Sequence, residues 1–162
     1  MSKSNILLKI SGSIAAYKIG DLISMLVQRG YEVQTVASPS ALKFIGPATL
    51  EGLSGRAVLT DTYESGKMMA HINLTKWSHL TILAPATANT INKIGYGLGE
   101  DLLSTMFLAH DWAKPYFLAP ALKRVGGSII GSRDKTTVPQ CMPITFLLFK
   151  FCATSKASSG LV

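Results

Sequence analysis

Cysteine is scarce in this chain of 162 residues, where Cys141 and Cys152 are the only two. Their spacing forms neither a CxxC metal knuckle nor a disulfide framework, which excludes a stapled secreted scaffold and predicts free thiols in a reducing, cytoplasmic compartment. Charge is scarce as well: 15% of residues are charged against 48% apolar, the reverse of a disordered composition. Long apolar runs are missing. The stretch 144–153 is broken by Lys150 and falls far short of the roughly 20 residues that span a bilayer, so no membrane partner is expected. Met1-Ser2-Lys3-Ser4 leads into an apolar stretch too short for a secretory signal, which again predicts a cytoplasmic protein. The three histidines, His71, His79 and His110, show no HxxxH or HxH spacing, so no metal is expected. Neither GxGxxG nor GxxxxGK[ST] occurs, so the two best-known nucleotide-loop signatures are absent.

The length predicts one domain, since domains run to about 100–200 residues. Sixteen Lys and Arg against nine acidic residues give a net charge of +7. The basic residues are scattered rather than interleaved with aromatics, which argues against nucleic acid and suits a small anionic ligand. Low charge also leaves apolar surface that a subunit interface would cover.

Along the chain, residues 6–10 form a short branched apolar run ended by Ser11-Gly12, the pattern of a buried strand. Over residues 14–29, Ile19, Leu22, Ile23, Leu26 and Val27 recur at three- and four-residue steps and predict one apolar helix face, with Gly30 as its stop. Residues 31–37 give a second strand, completing a strand-helix-strand unit of a parallel sheet. Ser38-Pro39-Ser40 is a turn that caps a short helix through Phe44, and Pro47 opens another helix ending near Gly52. Residues 80–84 form a further strand stopped by Pro85, followed by helices over 87–94 and 100–110. Residues 116–119 and 128–130 complete a sheet of five or six strands. Beyond Arg133 no period fixes an element.

In an open parallel sheet the ligand sits beyond the carboxyl ends of the strands, so the residues directly after each strand matter most. In the stretch SGSIAAYK, Gly12 permits close backbone approach, Ser13 offers a hydroxyl, and the amides that open the Ile14 helix suit a phosphate. Ser38 and Ser40 follow the second strand, and Thr87, Ala88, Asn89 and Thr90 follow the third. Three strand ends thus carry small hydroxyl or amide residues that leave room for a flat ring, although Thr87 and Thr90 also suit helix capping. His71 lies where Ile72 and Leu74 alternate with His71 and Asn73, as in an extended segment with one buried side. It is a candidate acid or base, or else a surface histidine.

Taken together, Ser11-Gly12-Ser13-Ile14-Ala15-Ala16-Tyr17-Lys18, the segment from His71 to Trp77, Ala84-Pro85-Ala86-Thr87-Ala88-Asn89-Thr90 and Asp101-Leu102-Leu103-Ser104-Thr105 resemble the flavin-dependent cysteine decarboxylases. That family includes phosphopantothenoylcysteine decarboxylases and lantibiotic peptidyl-cysteine decarboxylases. The resemblance implies a doubly wound α/β fold, a mostly parallel sheet with helices on both faces, of Rossmann or flavodoxin type. It implies a flavoprotein domain over residues 1–133, with 134–162 an atypical C-terminal segment. The implied cofactor is FMN, held by Gly12, Ser13, Ile14, Ser38, Ser40, Phe44, Thr87, Ala88, Asn89, Thr90 and Ala121, with His71 catalytic. The implied reaction is decarboxylation of phosphopantothenoylcysteine to phosphopantetheine in coenzyme A biosynthesis, by a homo-oligomer built from trimers. Its partner would be a small phosphorylated, cysteine-containing substrate, peptide-linked cysteine being the nearest alternative. One departure stands out. The family continues its Pro-Ala into Met-Asn, whose asparagine holds the substrate carboxylate, whereas Ala121 is followed by Leu122-Lys123-Arg124. That substitution also fits a catalytically silent FMN-binding or regulatory subunit.

Overall fold

The computed structural model describes residues 4–60 and 70–121. The strand expected at 128–130 and the C-terminal segment 134–162 lie outside the described residues. Four strands, β1 (Asn5–Ile10), β2 (Glu32–Ala37), β3 (Leu80–Ala86) and β4 (Tyr116–Pro120), form one sheet in the order β2-β1-β3-β4. Every described pairing is parallel. The chain runs from β1 outward to β2, then returns to β3 on the other side of β1, so the order reverses between β1 and β3. Such a reversal opens a crevice at the strands' carboxyl ends.

Helices cover both faces, and the strands explain why. Ile6, Leu8 and Ile10 of β1 point to one side with Val33, Ala37, Ile82 and Ala84, where they meet Ile19 and Ile23 of helix α1 (Ile19–Gln28) and Leu50 of α2 (Pro47–Ser54). Leu7 points to the other side with Val36, Leu83 and Tyr116. There it packs with Ile94 of α4 (Ala88–Gly95) and with Leu102, Leu103 and Met106 of α5 (Leu102–Leu108). Leu74 of α3 (Ala70–Trp77) joins this second core. A central strand buried on both faces must be apolar at every buried position, which is the pattern of β1 after the half-buried Asn5, apart from Lys9. Burial of each such Leu or Ile contributes about 1.5–3 kcal/mol.

Several boundaries differ from the sequence reading. The helix expected over 14–29 divides into a tight 3-10 turn, Ile14–Lys18, and α1. The Ala16 amide bonds back three residues to the Ser13 carbonyl at 2.9 Å, and fully buried Ala16 draws this first turn against the core. Gly30, at φ +86°, closes α1 in the left-handed region that glycine tolerates. The helix expected to end near Gly52 continues to Ser54 and stops at left-handed Gly55. Pro85 does not stop β3, which runs on to Ala86. Pro85 lacks an amide donor, but pairing to β1 extends only to Leu83 and the register to β4 shifts between Leu83 and Ala86, so no ladder bond is lost there.

The extended segment expected around His71 is instead helix α3. The alternation of Ile72 and Leu74 gives way to a helical period in which Thr75 and Ser78 are buried and the Ser78 amide reaches the Leu74 carbonyl at 3.0 Å. Thr75 donates its hydroxyl to the Ile72 carbonyl at 2.8 Å, which ties it within the turn. Among the described residues no helix is long and apolar enough to cross a membrane.

Candidate functional site

The carboxyl ends of the strands are drawn together by short polar contacts. Ser11, directly after β1, is buried and links two neighbouring loops. Its hydroxyl donates to the Pro85 carbonyl at 2.6 Å and accepts from the Thr87 amide at 3.0 Å, while its own amide donates to the Pro85 carbonyl at 3.2 Å. The loops after β1 and β3 are therefore one rigid unit. The β2 loop closes on it from the other side: a Cβ built on Gly12 would stand 2.3 Å from the Ser40 Cβ and 2.9 Å from the Ser40 carbonyl carbon. Only a residue without a side chain fits there. On the far side the Ala121 amide donates to the Ala86 carbonyl at 2.9 Å, which brings the end of β4 to the same rim.

Each predicted residue now has a place. Gly12 and Ser13 lie partly exposed on the β1 loop, where the Ser13 hydroxyl accepts from the Ala15 amide at 3.3 Å. Ile14 follows with 75% of its surface exposed. The Ser38 hydroxyl accepts from the Ala41 amide at 3.2 Å and opens the short 3-10 turn Ala41–Lys43, whereas Ser40 makes no capping bond and faces solvent. Phe44, just past that turn, is 47% exposed. Thr87 caps α4 by accepting from the Thr90 amide at 3.4 Å, and the two threonine hydroxyls lie 3.1 Å apart. Thr90 is buried, so its side chain shapes the loop, while Ala88 and Asn89 are exposed on the first turn of α4. Gly12, Ser40, Thr87 and Ala121 thus join one rim through the contacts above. His71 is the second residue of α3.

Two residues that the sequence reading passed over carry much of the arrangement. Ser11 stood in the quoted stretch, yet its neighbours drew the attention; the signal available was a hydroxyl placed directly after a strand. Asp101 caps α5 by accepting from the Ser104 amide at 2.9 Å, and the Ser104 hydroxyl accepts from the Asp101 amide at 3.1 Å. The Asp101 carboxylate also meets the Lys93 ammonium at 3.1 Å, and Glu100 joins the same cation. Burial alone would raise the Asp101 carboxyl, but the Ser104 bonds and the Lys93 charge outweigh it and hold the group below the usual carboxylate range. The pair fastens α5 to α4, whose amino end faces the rim.

His79 and His110 take no part in the rim contacts. His79 Nδ1 accepts from the Asn5 amide at 3.0 Å. His110 Nε2 lies 3.2 Å from the Lys114 carbonyl, and burial holds its imidazole below the usual histidine range. No group of three metal-ligating side chains occurs among the described residues.

The rim offers amides, hydroxyls, one exposed carboxamide and a close glycine–serine contact between two loops, with no acidic residue on the contacts described. Such a donor set suits a phosphorylated, flat, heteroatom-bearing ligand.

Comparison with known proteins agrees with this geometry. Residues 1–126 match the family described as Flavoprotein. The coenzyme A biosynthesis bifunctional protein CoaBC of Vibrio parahaemolyticus is 42% identical over 126 residues, 76% of this chain and 31% of that protein. A probable phosphopantothenoylcysteine decarboxylase of Streptococcus mutans is 39% identical over 72% of this chain and 66% of its own length. The chain therefore spans about a third of the length of the CoaBC proteins it matches. Among solved structures, a PPC decarboxylase mutant complexed with pantothenoylaminoethenethiol superposes with a TM-score of 0.66 at 34% identity, covering 75% of this chain and 69% of that one. The FMN-dependent cysteine decarboxylase SpaF gives a TM-score of 0.67 at 28% identity, covering 74% and 69%.

Proposed function

This chain belongs to the Flavoprotein family, and from that premise we propose that it binds FMN at the rim of β1, β2 and β3 and decarboxylates phosphopantothenoylcysteine to phosphopantetheine. The observation that carries the reading is the Gly12–Ser40 approach, which seats the loops after β1 and β2 directly against each other where any Cβ at position 12 would collide with Ser40. The residues present fit the cofactor: Gly12 leaves backbone exposed, the Ser40 hydroxyl is not spent on capping, and Asn89 presents its carboxamide on the first turn of α4.

In this reading the amides around Ser13 and Ile14, with Ser38 and Ser40, hold the phosphoryl end, because amides opening a helical turn attract an anion. Thr87, Ala88, Asn89 and Thr90 line the ring side, with Thr90 acting through the Thr87 hydroxyl rather than by direct contact. Ala121 and Phe44 complete the rim. FMN, when bound, supplies the two-electron oxidation at the thiol-bearing carbon that makes loss of the carboxylate feasible. His71 acts as the acid or base that moves a proton on the substrate, and its place near the start of α3 is held from the far end of that helix. There the Lys114 ammonium donates to the Thr75 and Lys76 carbonyls at 3.0 and 2.7 Å, and Asn5 Nδ2 donates to the Trp77 carbonyl at 3.0 Å.

We place the protein in the cytoplasm as a homo-oligomer built from trimers. The exposure of Ile14 (75%), Tyr17 (61%) and Tyr96 (80%) supports the assembly, since these apolar side chains gain by being covered.

Two measurements test the reading. Purified protein incubated with FMN retains a flavin spectrum through gel filtration, and carbon dioxide is released from phosphopantothenoylcysteine by the parent but not by His71→Asn. A protein that excludes FMN overturns the whole reading. One that holds FMN yet leaves both the free and the peptide-linked cysteine substrates untouched overturns the enzymatic half, in favour of a silent flavin-binding subunit.

A further inference from the structure

Away from the rim, the second core contains an anomaly. Lys9 sits in the middle of β1 with none of its surface exposed, and its ammonium nitrogen finds no hydrogen-bond partner among the described residues. It lies 5.1 Å from the centre of the Tyr116 ring, which also meets His110 edge-on at 4.9 Å. The Tyr116 hydroxyl, the His110 Nδ1 atom and the hydroxyl of Thr81, paired in register with Tyr116, are likewise buried and without partners. Four buried polar atoms, from β1, β3, β4 and the loop after α5, thus have no hydrogen-bond partner among the described residues. An unmade bond in such a place leaves the desolvation cost of the group unrecovered.

We propose that the Lys9 amine is a carbamylation site, which takes up carbon dioxide to give a carbamate enclosed by Tyr116, Thr81 and His110. The neutral amine attacks the carbon of carbon dioxide, an N–C bond forms, one C=O π bond opens onto oxygen, and the nitrogen releases a proton. His110 Nδ1 receives that proton. Its Nε2–H already donates to the Lys114 carbonyl, so in the neutral ring Nδ1 carries a free lone pair. The products are a carbamate anion and an imidazolium, a buried pair whose charges cancel, with the Tyr116 and Thr81 hydroxyls free to donate to the new oxygens. A simple inorganic anion fits less well, because it would meet the Nδ1 lone pair and bring no proton to fill it.

The alternative states of Lys9 explain why the site favours modification. As an ammonium it is a buried charge with no described acceptor, and desolvation pushes its pKa down to about 7, so the reactive free amine is abundant at neutral pH. Burial lowers the His110 pKa most, the Lys114 carbonyl raises it and the Lys9 charge lowers it, with smaller opposed effects of the Asp111 and Lys114 charges, so loss of the Lys9 charge on carbamylation eases proton uptake by the ring. Carbon dioxide is small and uncharged and needs no polar channel into an apolar core. The inference is independent of the decarboxylase reading, since dissolved bicarbonate supplies the same reagent.

The test uses the full chain equilibrated with carbon-13 bicarbonate, without substrate, at mildly alkaline pH. The parent shows a carbamate carbonyl resonance that is lost in Lys9→Met and weakened in His110→Asn. Trapping with triethyloxonium, then peptide mass mapping, places the ethylated carbamate on the peptide carrying Lys9, a readout that stands even if a variant fails to fold. No resonance in the parent beyond that of Lys9→Met, or trapped label confined to other amines, overturns the proposal.

Discussion

The Ser11 hydroxyl accepts the Thr87 amide at 3.0 Å across 76 positions of sequence, and the same oxygen donates to the Pro85 carbonyl at 2.6 Å. One side chain thus fixes the spacing of two strand ends at the proposed FMN site. Ser11→Ala removes both bonds and leaves the Thr87 amide without its acceptor, at a cost of about 1–3 kcal/mol. The expected outcome is a lower unfolding midpoint in urea with an unchanged slope, together with weaker FMN retention. An unchanged midpoint would show that the two loops hold their spacing without it.

Gly12→Ala tests the Gly12–Ser40 approach directly. The new methyl carbon would meet the Ser40 Cβ at 2.3 Å, so the β1 and β2 loops must part, at about 1–3 kcal/mol. FMN affinity, followed by flavin fluorescence, should fall at least tenfold. Ser40→Gly in the same chain removes one clash but leaves the backbone carbon at 2.9 Å, so rescue should be partial. Full rescue would mean that only the side chain, and not the backbone, sets the gap.

The sheet was legible because its signals are local. Residues 6–10 and 80–84 are too apolar for anything but buried strands, and the period of Ile19, Ile23 and Leu26 admits only a helix. The strand ends were legible for the same reason, since small hydroxyl residues after an apolar run are a property of the run's immediate neighbours. What escaped was set by distant contacts. Residues 70–74 read as alternating, yet the packing of Leu74, Thr75 and Ser78 makes them part of a helix, because tertiary burial overrides a two-residue pattern. Pro85 read as a strand stop, which ignored that a strand no longer paired at that position needs no amide. Ser11 looked like one of several interchangeable serines until β3 was placed beside it. Lys9 was visible as a lone cation in an apolar strand, but its neighbours Tyr116 and His110 lie more than a hundred residues away.

Asp101 joins helix capping to acid sensitivity. Its carboxylate accepts from the Ser104 amide and pairs with Lys93, interactions that exist only when it is ionised. Its folded pKa lies below the unfolded value of 3.8, so the contribution is fully present above that value and is lost as the pH falls through the folded pKa. Asp101→Ala should cost about 0.5–2 kcal/mol at neutral pH, the usual range for a lost cap. The parent and variant stabilities should converge in strong acid. A gap that persists there, measured by urea unfolding, would assign the loss to packing rather than charge.

Lys9 gives the opposite pH dependence. Its folded pKa of about 7 lies below the ordinary lysine value of 10.5 expected for the unfolded chain. Between these values the unfolded state binds more protons, so the stability conferred by the neutral, folded amine grows as pH rises through that interval. Below about 7 the full penalty of burying a charge applies. In buffer freed of carbon dioxide, the urea unfolding free energy of the parent should therefore climb from neutral pH towards pH 10. Lys9→Met, of similar length and without charge, should be more stable at neutral pH and lose most of that climb, because replacing a buried unpaired charge by an apolar side chain removes its desolvation cost. The two curves should approach each other at the alkaline end, where both side chains are neutral. A parent curve no steeper than that of Lys9→Met over the same interval would mean that Lys9 is held as a satisfied cation, and would count against a free amine in the core.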